Sequence, residues 1–309
     1  MLAPIIIALS SLFSQPTPYT EIRSETTEQS PQVAQTEETP EMRVTKDIQY
    51  AKRRWTRRGL TSLDVYQPGS TSASPRPILL FVHGGGWAIG DKKRIEHKAQ
   101  WATDLGMVYI SVNYRLSPRV MHPEHAIDVA ESIAYVIEHA SQWNADPDQI
   151  MVMGHSAGAH LAGIVAADES LLGKHNLKPE DLTGVILLDG AGYNIEPQIT
   201  DPRNSKVLQR WYENAFGDDP ELWERASPTL QAKPGDSLPP LLAIYAGDRE
   251  QSRRQAIEIV DAWERAGARA TIHHAVDKDH SGLNKELGKE NDPDTRAVEE
   301  FLKNVLNQR

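Results

Sequence analysis

Five short apolar runs punctuate this chain: Pro77 to Val82, Met107 to Val112, Ile150 to Met153, Val185 to Leu188 and Leu241 to Tyr245. None alternates with polar residues, so each reads as a strand buried on both faces, as in a parallel sheet covered by helices. Helical stretches separate them: Arg94 to Asp104, Glu124 to Trp143, Ala157 to Ala167, Arg253 to Ala266 and Thr295 to Leu306. In the second of these, Ala126, Val129, Ile133, Val136 and Ile137 recur at helical spacing and mark a core-facing stripe. Weaker strands are expected at Lys46 to Tyr50, Leu60 to Tyr66 and Ala270 to Val276. Strands alternating with helices predict an α/β fold, a mostly parallel doubly wound sheet with helices on both faces. Such a sheet places its sites at the carboxyl ends of its strands.

Three of those ends carry chemistry. Gly154-His155-Ser156-Ala157-Gly158 follows an apolar run and opens a helix, the pattern of a nucleophile elbow. His83-Gly84-Gly85-Gly86-Trp87 ends another strand. Consecutive glycines there leave backbone amides open to approach, as stabilisation of a developing oxyanion requires. A serine hydroxyl is a weak nucleophile at neutral pH and needs a base, which in turn needs an orienting acid. The base is expected at His280, in the polar loop Asp277-Lys278-Asp279-His280-Ser281-Gly282. For the acid, Asp248 lies just beyond the Leu241 to Tyr245 strand, with Glu250 in reserve and Asp189, after the preceding strand, as a second reserve.

Other residues have plainer readings. His273 and His274 are adjacent on a strand and face opposite sides, so packing is expected of both. His122 and His125 flank Pro123 at a helix start, and no carboxylate set completes a metal site with them. The glycine-rich loop lacks the Walker lysine and the dinucleotide spacing. There is no Cys, which excludes disulfides and thiolate chemistry. A formal net charge of -10 argues against a nucleic-acid partner. The one basic cluster, Lys52, Arg53, Arg54, Arg57 and Arg58, reads as a solvated face.

The N-terminal part is organised differently. Leu2 to Phe13 is apolar but too short to span a bilayer, and it has the length of a secretory h-region without the basic n-region. Residues 1–15 are therefore expected to be a signal segment of an exported protein, the alternative being a cytoplasmic protein with a frayed tail. From Ser14 to about Glu41 the chain is rich in Thr, Gln, Glu, Ser and Pro, which predicts a disordered linker, bounded here at 16–45. The globular domain is expected to occupy 46–309.

From about Leu60 onward the chain resembles the α/β-hydrolase superfamily, in particular esterases and lipases with an HGGG loop. That group includes hormone-sensitive-lipase-like and kynurenine-formamidase-like enzymes. The resemblance is carried by the HGGGW loop, Asn113-Tyr114-Arg115-Leu116-Ser117-Pro118, Asp146-Pro147, the elbow with Ala159-His160-Leu161, Leu188-Asp189-Gly190-Ala191-Gly192-Tyr193, Gly247-Asp248-Arg249 and Asp279-His280. It implies Ser156 as nucleophile, His280 as base, Asp248 as orienting acid, and Gly85, Gly86 and Ala157 as oxyanion donors. Many relatives carry the acid in a G-x-x-D turn, where this chain has Glu250. The implied activity is hydrolysis of a small or short-chain carboxylic ester through an acyl-enzyme, with no cofactor and no metal. An arylformamidase-type amidase and a catalytically silent binding protein are the alternatives. No nucleic acid and no membrane span are expected, and oligomeric state is left open. Between Gly190 and Leu238 lies an insertion with Tyr193, Trp211, Tyr212, Phe216 and Trp223, placed where such enzymes carry a cap. Its aromatics read equally as a binding wall or as a satellite core.

Overall fold

The structure is a computed structural model that describes residues 41–53 and 59–308. Eight strands build one sheet: β1 Arg43–Gln49, β2 Ser62–Gln67, β3 Arg76–Val82, β4 Val108–Val112, β5 Ala145–His155, β6 Leu182–Leu188, β7 Leu241–Ala246 and β8 Ala270–Ala275. Their order is β1-β2-β4-β3-β5-β6-β7-β8. The β1–β2 and β2–β4 pairs are antiparallel, and every pair from β4 to β8 is parallel.

The central strands carry apolar residues on both sides of the sheet because both faces are covered. Ile78, Leu80 and Val82 of β3 belong to one core, with Ile150 and Val152 of β5 and Val185 and Leu187 of β6. The intervening Leu79, Phe81, Met151, Met153, Ile186 and Leu188 form the core on the opposite face. The sheet's period of two thus divides one apolar run between two cores. The helices are α1 Lys98–Asp104, α2 Glu124–His139, α3 Ala157–Ala167, α4 Glu169–Gly173, α5 Glu196–Thr200, α6 Lys206–Phe216, α7 Pro220–Arg225, α8 Pro228–Gln231, α9 Glu250–Ala266, α10 His280–Glu286 and α11 Pro293–Leu306. Residues of α2, α3 and α9 pack into the first core, and residues of α1 and α11 into the second.

Every expected strand is present. β1, however, starts at Arg43, inside the stretch bounded as linker at 16–45. Arg43, Val44 and Thr45 pair with Gln67, Tyr66 and Val65, so backbone hydrogen bonding to β2 orders three exposed residues, of which only Val44 is apolar. The proposed signal segment and residues 16–40 of that linker lie outside the described residues, as do Arg54, Arg57 and Arg58 of the basic cluster. Arg53 of the cluster is ion-paired with Glu131 and approaches Asp128 at 3.8 Å. No described helix is long and apolar enough to cross a membrane.

Candidate active site

The elbow forms where β5 turns directly into α3. Ser156 takes φ 57° and ψ −121°, a strained backbone for a residue with a side chain. Its amide donates to Leu188 O at 3.0 Å. The flanking glycines are required sterically. A Cβ on Gly154 would collide with the Gly158 carbonyl, and one on Gly158 would collide with the Val82 carbonyl. The turn is therefore close-packed against β3, and Ser156 stands at the N-terminus of α3, where the helix dipole favours negative charge.

Ser156 Oγ lies 3.1 Å from His280 Nε2. His280 Nδ1 lies 2.6 Å from Asp189 Oδ2. Because an ionised carboxylate can only accept, Nδ1 carries the proton and Nε2 is left to accept from the serine hydroxyl. His280 is the first residue of α10 rather than part of a loop, since Asp279 caps that helix by accepting from the Gly282 amide at 2.6 Å.

The carboxylate bonded to His280 is thus Asp189, and the expectation that Asp248 stands there is corrected. Asp189 follows β6 without a spacer and bends inward at φ 44°, its amide bonded to Ile244 O at 2.6 Å. Its side chain has no solvent exposure. It also accepts from the Ala246 amide at 3.1 Å, from Ser252 Oγ at 2.8 Å and from the Arg249 guanidinium. Burial alone would raise its pKa. The hydrogen bond from His280, the charge of Arg249 and the Ser252 hydroxyl outweigh that effect and hold it below the ordinary carboxylate value. Asp248 follows Gly247, whose φ of +61° carries the chain outward, and its side chain is exposed. Glu250 opens α9 with an 83% exposed side chain.

A cavity of about 200 Å³ lies over Ser156, and Gly86 and Ala157 line it. Neither of their amides donates to another backbone carbonyl among the described residues. Gly85 forms the turn behind them: its carbonyl accepts from Ala88 and Ile89, and at φ +121° a Cβ there would strike the Ile89 backbone. His83 braces the same loop, stacked on Tyr114 at 4.5 Å with Nδ1 2.8 Å from Gly84 O. Burial lowers its pKa to about 4. Lys92, buried behind the loop, is fixed by Asp64 and by Asp47 at 2.8 Å, and its amide donates to Asn113 Oδ1 at 2.6 Å.

A profile of the BD-FAE family matches residues 63–255, more than half of the chain and all of the sheet from β2 to β7. The chain belongs to the BD-FAE family. Among its relatives, esterase LipQ of Mycobacterium tuberculosis is 28% identical over 70% of this chain and 54% of its own length. Kynurenine formamidase of Danio rerio is 27% identical over 74% of this chain and 73% of its own. The chain spans about half the length of most of the first curated relatives it matches, LipQ among them. Of solved structures, an inhibited esterase B from Lactobacillus rhamnosis superposes with a TM-score of 0.72 at 20% identity, covering 88% of this chain and 90% of that one. The fold is that of an α/β-hydrolase.

In this BD-FAE member the insertion between Gly190 and Leu238 supplies α5 to α8, and its aromatics divide between the two expected roles. Tyr193, Phe216 and Trp223 are buried, Phe216 packing on Trp87 with ring centroids 4.8 Å apart. Trp211, 39% exposed, covers Gly86, and with Trp87, Leu208 and Tyr212 it gives the cavity an aromatic wall. Asp189, Arg249 and Gln251 also line the cavity. His273 bonds Asp294 at 2.8 Å and His274 bonds Gly247 O at 3.0 Å, so both have structural partners away from Ser156. His125 meets Ser117 Oγ at 3.0 Å and His122 lies against Phe216.

Proposed function

We propose that the chain is a serine carboxylic-ester hydrolase working through an acyl-enzyme. The observation that carries this reading is the continuous hydrogen-bonded line from Ser156 Oγ through His280 to the buried carboxylate of Asp189. In the proposed reaction His280 Nε2 takes the Ser156 proton as Oγ attacks the ester carbonyl. The oxyanion is received by the amides of Gly86 and Ala157, with Gly85 beside them. Asp189, ionised and desolvated, stabilises the imidazolium. His280 then returns the proton to the departing alcohol, which releases an acylated Ser156. Water activated by the same imidazole attacks the acyl carbon and frees the acid. Each of these steps uses side chains and backbone of this chain alone.

Three further observations support the reading. LipQ is named an esterase, and plant relatives at 25% and 26% identity are named isoprenylcysteine methylesterases. The cavity volume of about 200 Å³ suits a short acyl group. The aromatic wall beside Gly86 suits its apolar carbons. The relationship to kynurenine formamidase favours a second reading, in which the same three side chains act on an N-formyl aryl amide.

The test is a panel of p-nitrophenyl esters of increasing chain length with N-formylkynurenine included, run on the parent protein and on Ser156→Ala. The expected result is turnover of short esters that falls by orders of magnitude in the variant. Near-normal turnover by Ser156→Ala would overturn the proposal. Formamide turnover exceeding that of every ester would replace the first reading by the second.

A further inference from the structure

His155 stands between Gly154 and Ser156 in the elbow, and no step above uses it. It is 8% exposed. Its Nε2 lies 2.9 Å from the backbone carbonyl of His280. A carbonyl only accepts, so Nε2 carries the proton and donates. The two imidazole rings are 4.6 Å apart and tilted by 39°. On its other side the ring abuts the oxyanion loop: a Cβ placed on Gly84 would lie 3.0 Å from His155 Nδ1 and 2.8 Å from its carbonyl. One imidazole therefore touches the strand that carries the nucleophile, the helix that carries the base and the loop that carries an oxyanion donor.

Asp189 holds the His280 ring, and α10 is anchored further along by Leu283, buried in the second core, and by Lys98, whose Nζ donates to Asn284 O at 2.7 Å. α10 has seven residues and is capped by the exposed Asp279, and β8 ends at Ala275, five positions earlier. The backbone at His280 is held to the elbow by the His155 bond. Burial, reinforced by the neighbouring His280, lowers the His155 pKa to about 3. The ring consequently stays neutral when His280 takes up the serine proton. It adds no second cation beside the imidazolium and does not compete with His280 as a base.

Resting on the serine-hydrolase reading, we propose that His155 is a positioning residue, a neutral hydrogen-bonded strut that sets the distance between His280 and Ser156. Both halves of the reaction route a proton through His280, so loosening the strut slows acylation and deacylation alike and leaves ground-state binding in place. A misplacement of about 1 Å in such a relay costs on the order of 100-fold in rate.

The experiment compares His155→Gln, which keeps an N–H donor at similar reach, with His155→Met and His155→Phe, which lack one. Folding is checked by circular dichroism and Tm, and kcat and KM are measured separately on p-nitrophenyl acetate. The donor-less proteins are expected to lose roughly 10- to 100-fold in kcat with KM within about threefold of the parent, and His155→Gln to recover most of the loss. Unchanged kcat in a folded donor-less protein, or a loss residing wholly in KM, would overturn the proposal. Failure of both donor-less proteins to fold would do the same, leaving the ring a purely structural element. If the parent hydrolyses no ester, the serine-hydrolase reading fails instead, and the strut is read from the rate at which a fluorophosphonate labels Ser156: a slower rate in the donor-less proteins supports it, and an unchanged rate overturns it.

Discussion

His280 donates Nδ1–H to Asp189 Oδ2 at 2.6 Å, across a sequence separation of 91 residues. The bond joins the start of α10 to the end of β6, next to the strand that carries Ser156. It is buried on the aspartate side, where a charge-assisted hydrogen bond is strongest. Arg249 reaches the same carboxylate oxygen from the turn after β7. The turn expected to supply the acid supplies instead a cation that steadies it.

The packing of the elbow leads to a stability expectation. Gly158→Ala would drive a methyl group into the backbone of Val82 and His83, neither of which can yield as a flexible side chain could. Thermal melts should show a loss of at least about 1–3 kcal/mol, and activity should fall with it because Ser156 rides on the same turn. An unaltered Tm would mean that the close approach of α3 to β3 is wrong.

Trp211 covers Gly86 from the cap and stays partly exposed, so its removal should enlarge the cavity at little cost to the core. With Trp211→Ala the ratio of kcat/KM for p-nitrophenyl hexanoate over acetate should rise by about tenfold, since a few methylenes in an apolar pocket discriminate on that scale. A ratio that stays constant would remove Trp211 from the acyl-binding wall.

Five buried histidines give the fold an acid limit. Burial is the first cause in each case, and it lowers the pKa to about 4 for His83 and His122 and to about 3 for His125, His155 and His160. In the unfolded chain these groups titrate near 6.5. Below that pH the unfolded state binds more protons than the folded one, so stability is full above about 6.5 and declines as pH falls toward the folded values. Each group removes up to about 1.4 kcal/mol per pH unit in that window. Urea midpoints should be level from pH 8 to 6.5 and drop steeply from 6 to 4.5. A midpoint insensitive to pH down to 4.5 would show that these rings are not buried and neutral together.

Much of this arrangement was legible in the sequence because strong local signals coincide with it. The five apolar runs, broken only by Ser111, announce the parallel sheet, since strands covered on both sides lack alternation. Ser156 and His280 could be picked out because a strand-turn-helix pattern and a late polar segment have fixed places in such a sheet. Asp189 was harder to see. Whether a carboxylate at a strand end turns inward or outward depends on which residue takes the left-handed turn: Asp189 itself, at φ 44°, or Gly247, at φ +61°, one residue before Asp248. The available signal was that Asp189 follows its strand with no glycine between, on the strand adjacent to that of the nucleophile. The start of α10 at His280 was equally hidden, because a seven-residue helix with an Asp cap has the composition of a loop. The first residues of β1 went unseen for the same reason, their order coming from backbone pairing with β2 rather than from apolar side chains.

The most direct measurement is kcat on one short aryl ester for Asp189→Asn, Asp248→Asn and Glu250→Gln, compared side by side with the parent. Replacing the acid that orients the base should lower kcat by about 10³- to 10⁴-fold, so Asp189→Asn is expected to show that loss while the other two stay within a few-fold. A collapse in Asp248→Asn or Glu250→Gln, with Asp189→Asn near the parent, would contradict the assignment of Asp189 as the partner of His280.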